Sequence, residues 1–264
     1  MRFALVLFLA IVAVGVVSAH RTRNPIVKCF AGKTEVFRAS HILGETDPTD
    51  MPDNNMHFRR HVHYTVEQNG YRKESFNFSG GLGTTMDAQT HVNATGKRIC
   101  DYSPEELHSP LVLLDVRHKA ATNPDYVVTV QDVRDWEYIH RRQVPRNAVV
   151  AMWSGWDSKY RNETAYRNTD PAYYPFHFAG FGRAVTTFLL TQRDIHGIAV
   201  DTLSADNGAT FDYGEHLDLV GKAGKYNLEN LRFSEDIPTD GACIVVNPLL
   251  VCSPEATSNV NIYY

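Results

Sequence analysis

Two stretches of this chain hold residue types that suit metal-assisted hydrolysis. Ser79-Gly80-Gly81-Leu82-Gly83-Thr84-Thr85-Met86-Asp87-Ala88-Gln89-Thr90-His91 sets a carboxylate and an imidazole four residues apart, behind glycines at 80, 81 and 83. Glycine lets the backbone bend sharply and approach another group closely. Further on, Glu215-His216 precedes Tyr226-Asn227-Leu228-Glu229-Asn230-Leu231, adding a second imidazole and carboxylate. Neutral imidazole nitrogen and carboxylate oxygen are the ligand types that suit Zn2+ or Mn2+.

The remaining histidines are weaker candidates. Among the 12 in the chain, His118, His140 and His196 stand alone, without a second ligand at usable spacing. His57, His61 and His63 cluster, and the last two share a face if the segment is a strand. No carboxylate lies inside that cluster, so metal binding there is disfavoured. Trp153, Trp156 and Phe176 are candidates for an aromatic wall beside a substrate, with core packing as their competing role.

Positioning such groups calls for a rigid scaffold. Short apolar runs at Leu111–Val116, Ala148–Trp153, Gly197–Val200 and Cys243–Val246 have the length and β-branching of buried strands. Between them come helical signals. Ser103-Pro104-Glu105-Glu106-Leu107 combines an N-cap serine, a proline at the first helical position and a glutamate at the third. Thr129 caps Val130, Val133 and Trp136 at helical spacing, and Gly182–Arg193 carries Val185, Phe188 and Leu189 on one face. Strands alternating with helices predict an α/β or α+β fold. Asp47-Pro48-Thr49-Asp50-Met51-Pro52-Asp53 reads as turn chemistry.

At 264 residues, 43% hydrophobic and 21% charged, the chain can bury a full core, and no linker or repeat divides it. A net charge of -4 offers no positive field for phosphate backbones or anionic membranes, which argues against nucleic acid as a partner. Met1 and Arg2 lead into an apolar run that ends at Val17-Ser18-Ala19. A basic start, a run too short to span a bilayer and a small-x-small cleavage site define a signal peptide over 1–19, with one domain over 20–264 that is secreted. Sequons at Asn77, Asn93 and Asn162 suit that compartment, and so do the four cysteines, Cys29, Cys100, Cys243 and Cys252, whose three pairings the sequence leaves open.

From about Phe37 onward the chain resembles the cyclase family of metal-dependent hydrolases, which includes bacterial-type kynurenine formamidase (arylformamidase) and isatin hydrolase. The family signature is His-x-Gly-Thr-His-x-Asp-x-Pro-x-His, and the matching stretch here runs from Gly81 to His91. Further agreement lies in Ser154-Gly155-Trp156, in Gly197–Asp206, and in Tyr226–Leu231 with Pro248 beyond. The resemblance implies the family's swivelling β/β/α fold, an oligomer, and a small-molecule substrate. It places Gly81 and Thr85 where the first two signature histidines stand, and Gln89 where the proline stands. It implies that Asp87, His216 and Glu229 hold one ion, Zn2+ or Mn2+, with His91 as acid/base. Three protein ligands leave a position for water, whose pKa a bound metal lowers towards about 7.

Those matches point to a secreted amide or lactam hydrolase related to tryptophan catabolism. The loss of both imidazoles equally fits a catalytically inactive member that keeps the pocket to bind a ligand or a partner, since dropping a ligand costs metal affinity steeply.

Overall fold

The computed structural model describes residues 29–45, 47–48, 57–168, 176–210 and 212–264. The expected signal peptide and most of the turn-rich segment after Asp47 lie outside the described residues.

In chain order the strands are β1 (Val36–Arg38), β2 (Arg59–Tyr64), β3 (Lys73–Asn77), β4 (Thr85–Asp87), β5 (His108–Asp115), β6 (Val127–Val128), β7 (Val149–Trp153), β8 (Gly180–Phe181), β9 (Gly197–Val200), β10 (Tyr226–Glu229), β11 (Cys243–Pro248) and β12 (Glu255–Tyr263). The helices are α1 (Val66–Asn69), α2 (Arg117–Thr122), α3 (Val130–His140), α4 (Glu163–Arg167) and α5 (Arg183–Gln192), and His216–Lys222 forms a π-helical segment. All four predicted strands are present, and so are the helices expected after Thr129 and Gly182.

One sheet runs in the order β1-β12-β11-β5-β7-β9-β10-β4, and β4 pairs in turn with the start of β12. That last pairing closes a barrel of β12, β11, β5, β7, β9, β10 and β4, with β1 extending the far end of β12. Strands β5, β7, β9 and β10 are parallel, and the helices cross between them. The fold is therefore mixed α/β around a closed barrel, as the alternation of strand and helix signals requires.

Alternating side chains divide the core in two. Met86, Leu111, Leu113, Leu228, Ile244 and Ala256 fill the barrel, while Val112, Leu114, Val150 and Met152 pack outward against Val133, Trp136, Val185 and Leu189 of α3 and α5. Burial on both faces explains why these strands read as continuous apolar runs.

The Ser103 signal does not make a helix. Ser103 N–H donates to Glu106 Oε2 at 3.0 Å and Glu106 N–H to Ser103 Oγ at 3.4 Å, which is the reciprocal pattern of a helix start. Only a turn follows, because the chain enters β5 at His108 and the sheet takes the hydrogen bonds a second helical turn would use. The cysteines pair as Cys29–Cys243 and Cys100–Cys252.

Candidate metal centre

The pleat that sends Met86, Leu228 and Ala256 into the barrel must turn their neighbours outward. On β4, β10 and β12 those neighbours are polar and in register. Asp87 faces Asn227 on one side and Glu255 on the other, and Thr85 faces Glu229 and Thr257. Two adjacent rungs thus carry Asn227-Asp87-Glu255 and Glu229-Thr85-Thr257 on the outer face.

Above these rungs His216, the first residue of the π-helical segment, brings an imidazole down onto the sheet. Its Nε2 lies 3.2 Å from Asp87 Oδ2 and 3.5 Å from Glu229 Oε1, and Asn227 Nδ2 is 3.3 Å away. On the other side of the ring, Nδ1 forms a short hydrogen bond to Asp206 Oδ2. Asp206 is fixed in turn by the N–H of Glu215 at 2.8 Å and of His216 at 3.3 Å. A carboxylate on Nδ1, with Nε2 turned towards other ligand-type groups, is the arrangement found behind metal-binding histidines.

His91, on the turn after β4, completes the group. Asp87, His91 and His216 each offer a ligand atom, and these atoms lie within 4.8 Å of one another. The His91 and His216 rings are 5.6 Å apart. Glu229 Oε1 is held by the Ala205 N–H at 3.0 Å and Asn227 Nδ2 at 3.1 Å. His91 thus joins Asp87 and His216 in a group that could hold an ion, while Glu229 beside it is braced by two donors.

Charge accounts for the titration of these groups. Burial works against ionisation of Asp87, but the hydrogen bond and positive charge of His216 outweigh it and hold the carboxyl below its usual range. Burial likewise disfavours the His216 cation, yet Asp206, Asp87 and Glu229 raise it well above the ordinary imidazole value. In the bare protein His216 thus acts as the counter-charge of three carboxylates, the place a divalent cation fits. Beside the group, Asn227 turns its Nδ2 towards Glu229 and His216, and its Oδ1 is buried without a hydrogen-bond partner. With two imidazoles and several carboxylates, the donor set suits Zn2+ or Mn2+.

The group lines a cavity of about 280 Å³ whose wall includes Gly81, Thr85, Phe176, Phe178 and Leu203. Both positions that lack the signature histidines, 81 and 85, therefore face this cavity. Of the three proposed aromatic residues, only Phe176 reaches it. Trp153 is in the barrel core, with Phe233 beside it and the Arg117 guanidinium 3.6 Å from its ring, and Trp156 packs with Tyr160 and Tyr166. Phe178, two residues beyond Phe176 and stacked on it, takes their place in the wall. His57, His61 and His63 do not line the cavity; the last two share a face of the β2–β3 hairpin, with His63 Nε2 2.9 Å from Ser75 Oγ.

Sequence reasoning missed Asp206, Asn227 and Glu255. Asp206 closes the matched Gly197–Asp206 segment and Asn227 is two residues before Glu229, so strand periodicity could have found the second. Nothing local marks Glu255, which the register alone brings beside Asp87.

Comparison with known proteins agrees with this architecture. The cyclase family model matches residues 25–207. Isatin hydrolase of Roseibium aggregatum is 24% identical over 243 residues, covering 85% of this chain and 89% of that protein. Isatin hydrolase A from Ralstonia solanacearum superposes with a TM-score of 0.79 at 24% identity, over 87% of this chain and 91% of its own. An isatin hydrolase bound to the product analogue thioisatinate gives 0.81 at 20% identity, over 90% and 95%. The chain belongs to the cyclase family.

Proposed function

We propose that this protein is a secreted hydrolase that opens an amide or lactam C–N bond next to an aromatic ring, using one divalent ion. The observation that carries the proposal is the convergence of Asp87, His91 and His216 on the outer face of β4, beside a cavity walled by Phe176 and Phe178. Asp87, His91 and His216 would hold the ion, with Glu229 adjacent. Such an ion acidifies bound water and polarises a carbonyl.

The chain's own groups do the rest. Asp206 keeps the proton of His216 on Nδ1, leaving Nε2 to face Asp87 and Glu229. Glu229, aimed by the Ala205 N–H and Asn227, would carry a proton from the attacking water to the leaving nitrogen. Phe176 and Phe178 bind the aromatic part of the substrate and exclude water. The relatives named as isatin hydrolases support an aromatic lactam as the substrate class. This assignment makes His91 a ligand and Glu229 the base, the reverse of the roles implied by the signature.

The two disulfides and the apolar run before Ala19 support secretion. Asn77 and Asn162 are exposed acceptors for glycans, whereas Asn93 is half-buried with Nδ2 bonded to the Gly221 carbonyl at 3.1 Å. Purified protein should contain stoichiometric Zn or Mn, lose it in His216→Ala, and open isatin or an N-formyl arylamine in a chelator-sensitive way. Metal-free wild type of normal stability would instead favour the non-catalytic, ligand-binding member of the family.

A further inference from the structure

One of the two imidazoles in this centre has an evident support, since Asp206 stands behind Nδ1 of His216. His91 has a counterpart: Glu255 Oε2 lies 3.8 Å from His91 Nδ1. We infer that Glu255 is the backing carboxylate of His91, doing for that ring what Asp206 does for His216, and that glycine at position 81 is what lets it. The inference rests on the metal centre proposed above and adds to it a residue from the far end of the chain.

Register and space point the same way. Glu255 is the direct cross-strand partner of Asp87, and the side chains of such a pair leave the sheet on the same face. Its carboxylate then bends across Gly80 and Gly81. A Cβ built at 81 would stand 2.9 Å from Glu255 Oε2 and 3.3 Å from Oε1, closer than side chains pack. Position 81 and the Glu255 carboxylate therefore compete for one volume, and in this chain the carboxylate has it. With Nδ1 turned to Glu255, the His91 nitrogen left for an ion is Nε2, matching the arrangement at His216. A carboxylate on the second ring nitrogen fixes the tautomer and raises the basicity of a ligating histidine. The 3.8 Å gap is longer than a hydrogen bond and closes with a small rotation of a side chain that is 28% exposed.

The test is the affinity of the full mature protein for Mn2+ and Zn2+, measured by calorimetry and chelator competition. Wild type is compared with Glu255→Gln, Gly81→Ala, His91→Ala and the pair His91→Ala/Glu255→Gln. Glu255→Gln keeps the shape and should weaken binding about 10-fold, at the low end of the ~10- to 100-fold range for such supports because the group is partly exposed. Gly81→Ala leaves Glu255 in place but displaces its flexible tip, so affinity should fall in the same direction. Once His91 is gone, Glu255→Gln should cost nothing further, which a merely structural or long-range charge role would not produce. Glu255→Gln within twofold of wild type, or an undiminished loss in the His91→Ala background, overturns the inference and leaves the metal centre standing. Wild type that binds neither ion overturns both.

Discussion

Asp206→Asn tests whether the site is built to present His216 Nε2 to a metal. The carboxylate receives the His216 ring hydrogen bond at Nδ1, the Glu215 N–H at 2.8 Å and the His216 N–H at 3.3 Å. An asparagine retains one acceptor oxygen, which can serve one backbone N–H, and turns an amide towards the others. Hydrogen bonds to a charged group contribute about 1.5 to 3 kcal/mol each. Losing the ring bond and weakening one backbone bond should therefore cost the metal-free protein roughly 3 kcal/mol, or about 6 to 12 °C in Tm for a chain of this size. Metal affinity should fall separately, by about 10- to 100-fold, because the ring is then free to rotate and to change tautomer. Scanning calorimetry without metal gives the first number, and competition against a chromogenic chelator gives the second. A variant that melts lower but binds Zn2+ within twofold of wild type would refute the reasoning, reducing Asp206 to a structural brace for the start of the π-helical segment.

Other perturbations have defined outcomes. Leu228→Ala removes a fully buried side chain on the barrel side of the strand that carries Asn227 and Glu229, and should cost about 2 to 5 kcal/mol in denaturant titrations. Cys100→Ser/Cys252→Ser opens a cross-link spanning 152 residues just ahead of β12 and should cost about 2 to 5 kcal/mol; a Tm equal to wild type would contradict that role. His41 is stacked on Tyr160 at 3.5 Å and its Nε2 is buried without a partner. Burial first, then Arg232 and Arg161, lower its pKa from 6.5 to about 3. The unfolded chain takes up this proton near pH 6.5 while the folded chain does not, so stability is lost as pH falls from 6.5 towards 3. By pH 5 that amounts to about 2 kcal/mol, which His41→Phe should abolish. Carboxyls pushed up to about 7 by burial, Asp201 and Glu215, act with the opposite sign and cancel in the difference between the two proteins. Parallel pH-stability curves for wild type and His41→Phe would show that His41 does not titrate in this way.

Much of the scaffold and half of the site are written locally. The β-branched runs at 111, 149, 197 and 243 declare strands because each is buried on both faces, and Thr129 and Gly182 start helices whose apolar stripes cover the barrel. Asp87, His91, His216 and Glu229 were identifiable by residue type and by resemblance to a signature, and they do meet around one cavity. Local signals fail where a long-range contact competes. Ser103 and Glu106 form a helix-start pattern, but β5 claims the backbone at His108. Trp153 and Trp156 have the chemistry of a substrate wall, but alternation on β7 and packing against Tyr160 put them in cores.

The neighbours within the site were set by the closing of the barrel. Pairing of β4 with both β10 and β12 places Asn227 and Glu255 on either side of Asp87, although one lies 140 and the other 168 residues away in the chain. Residue types and short periodicities can be read along a sequence because they depend on neighbours a few positions apart. The register between distant strands depends on how the whole barrel packs. That register brought a glutamate into the space left open at Gly81, beside His91.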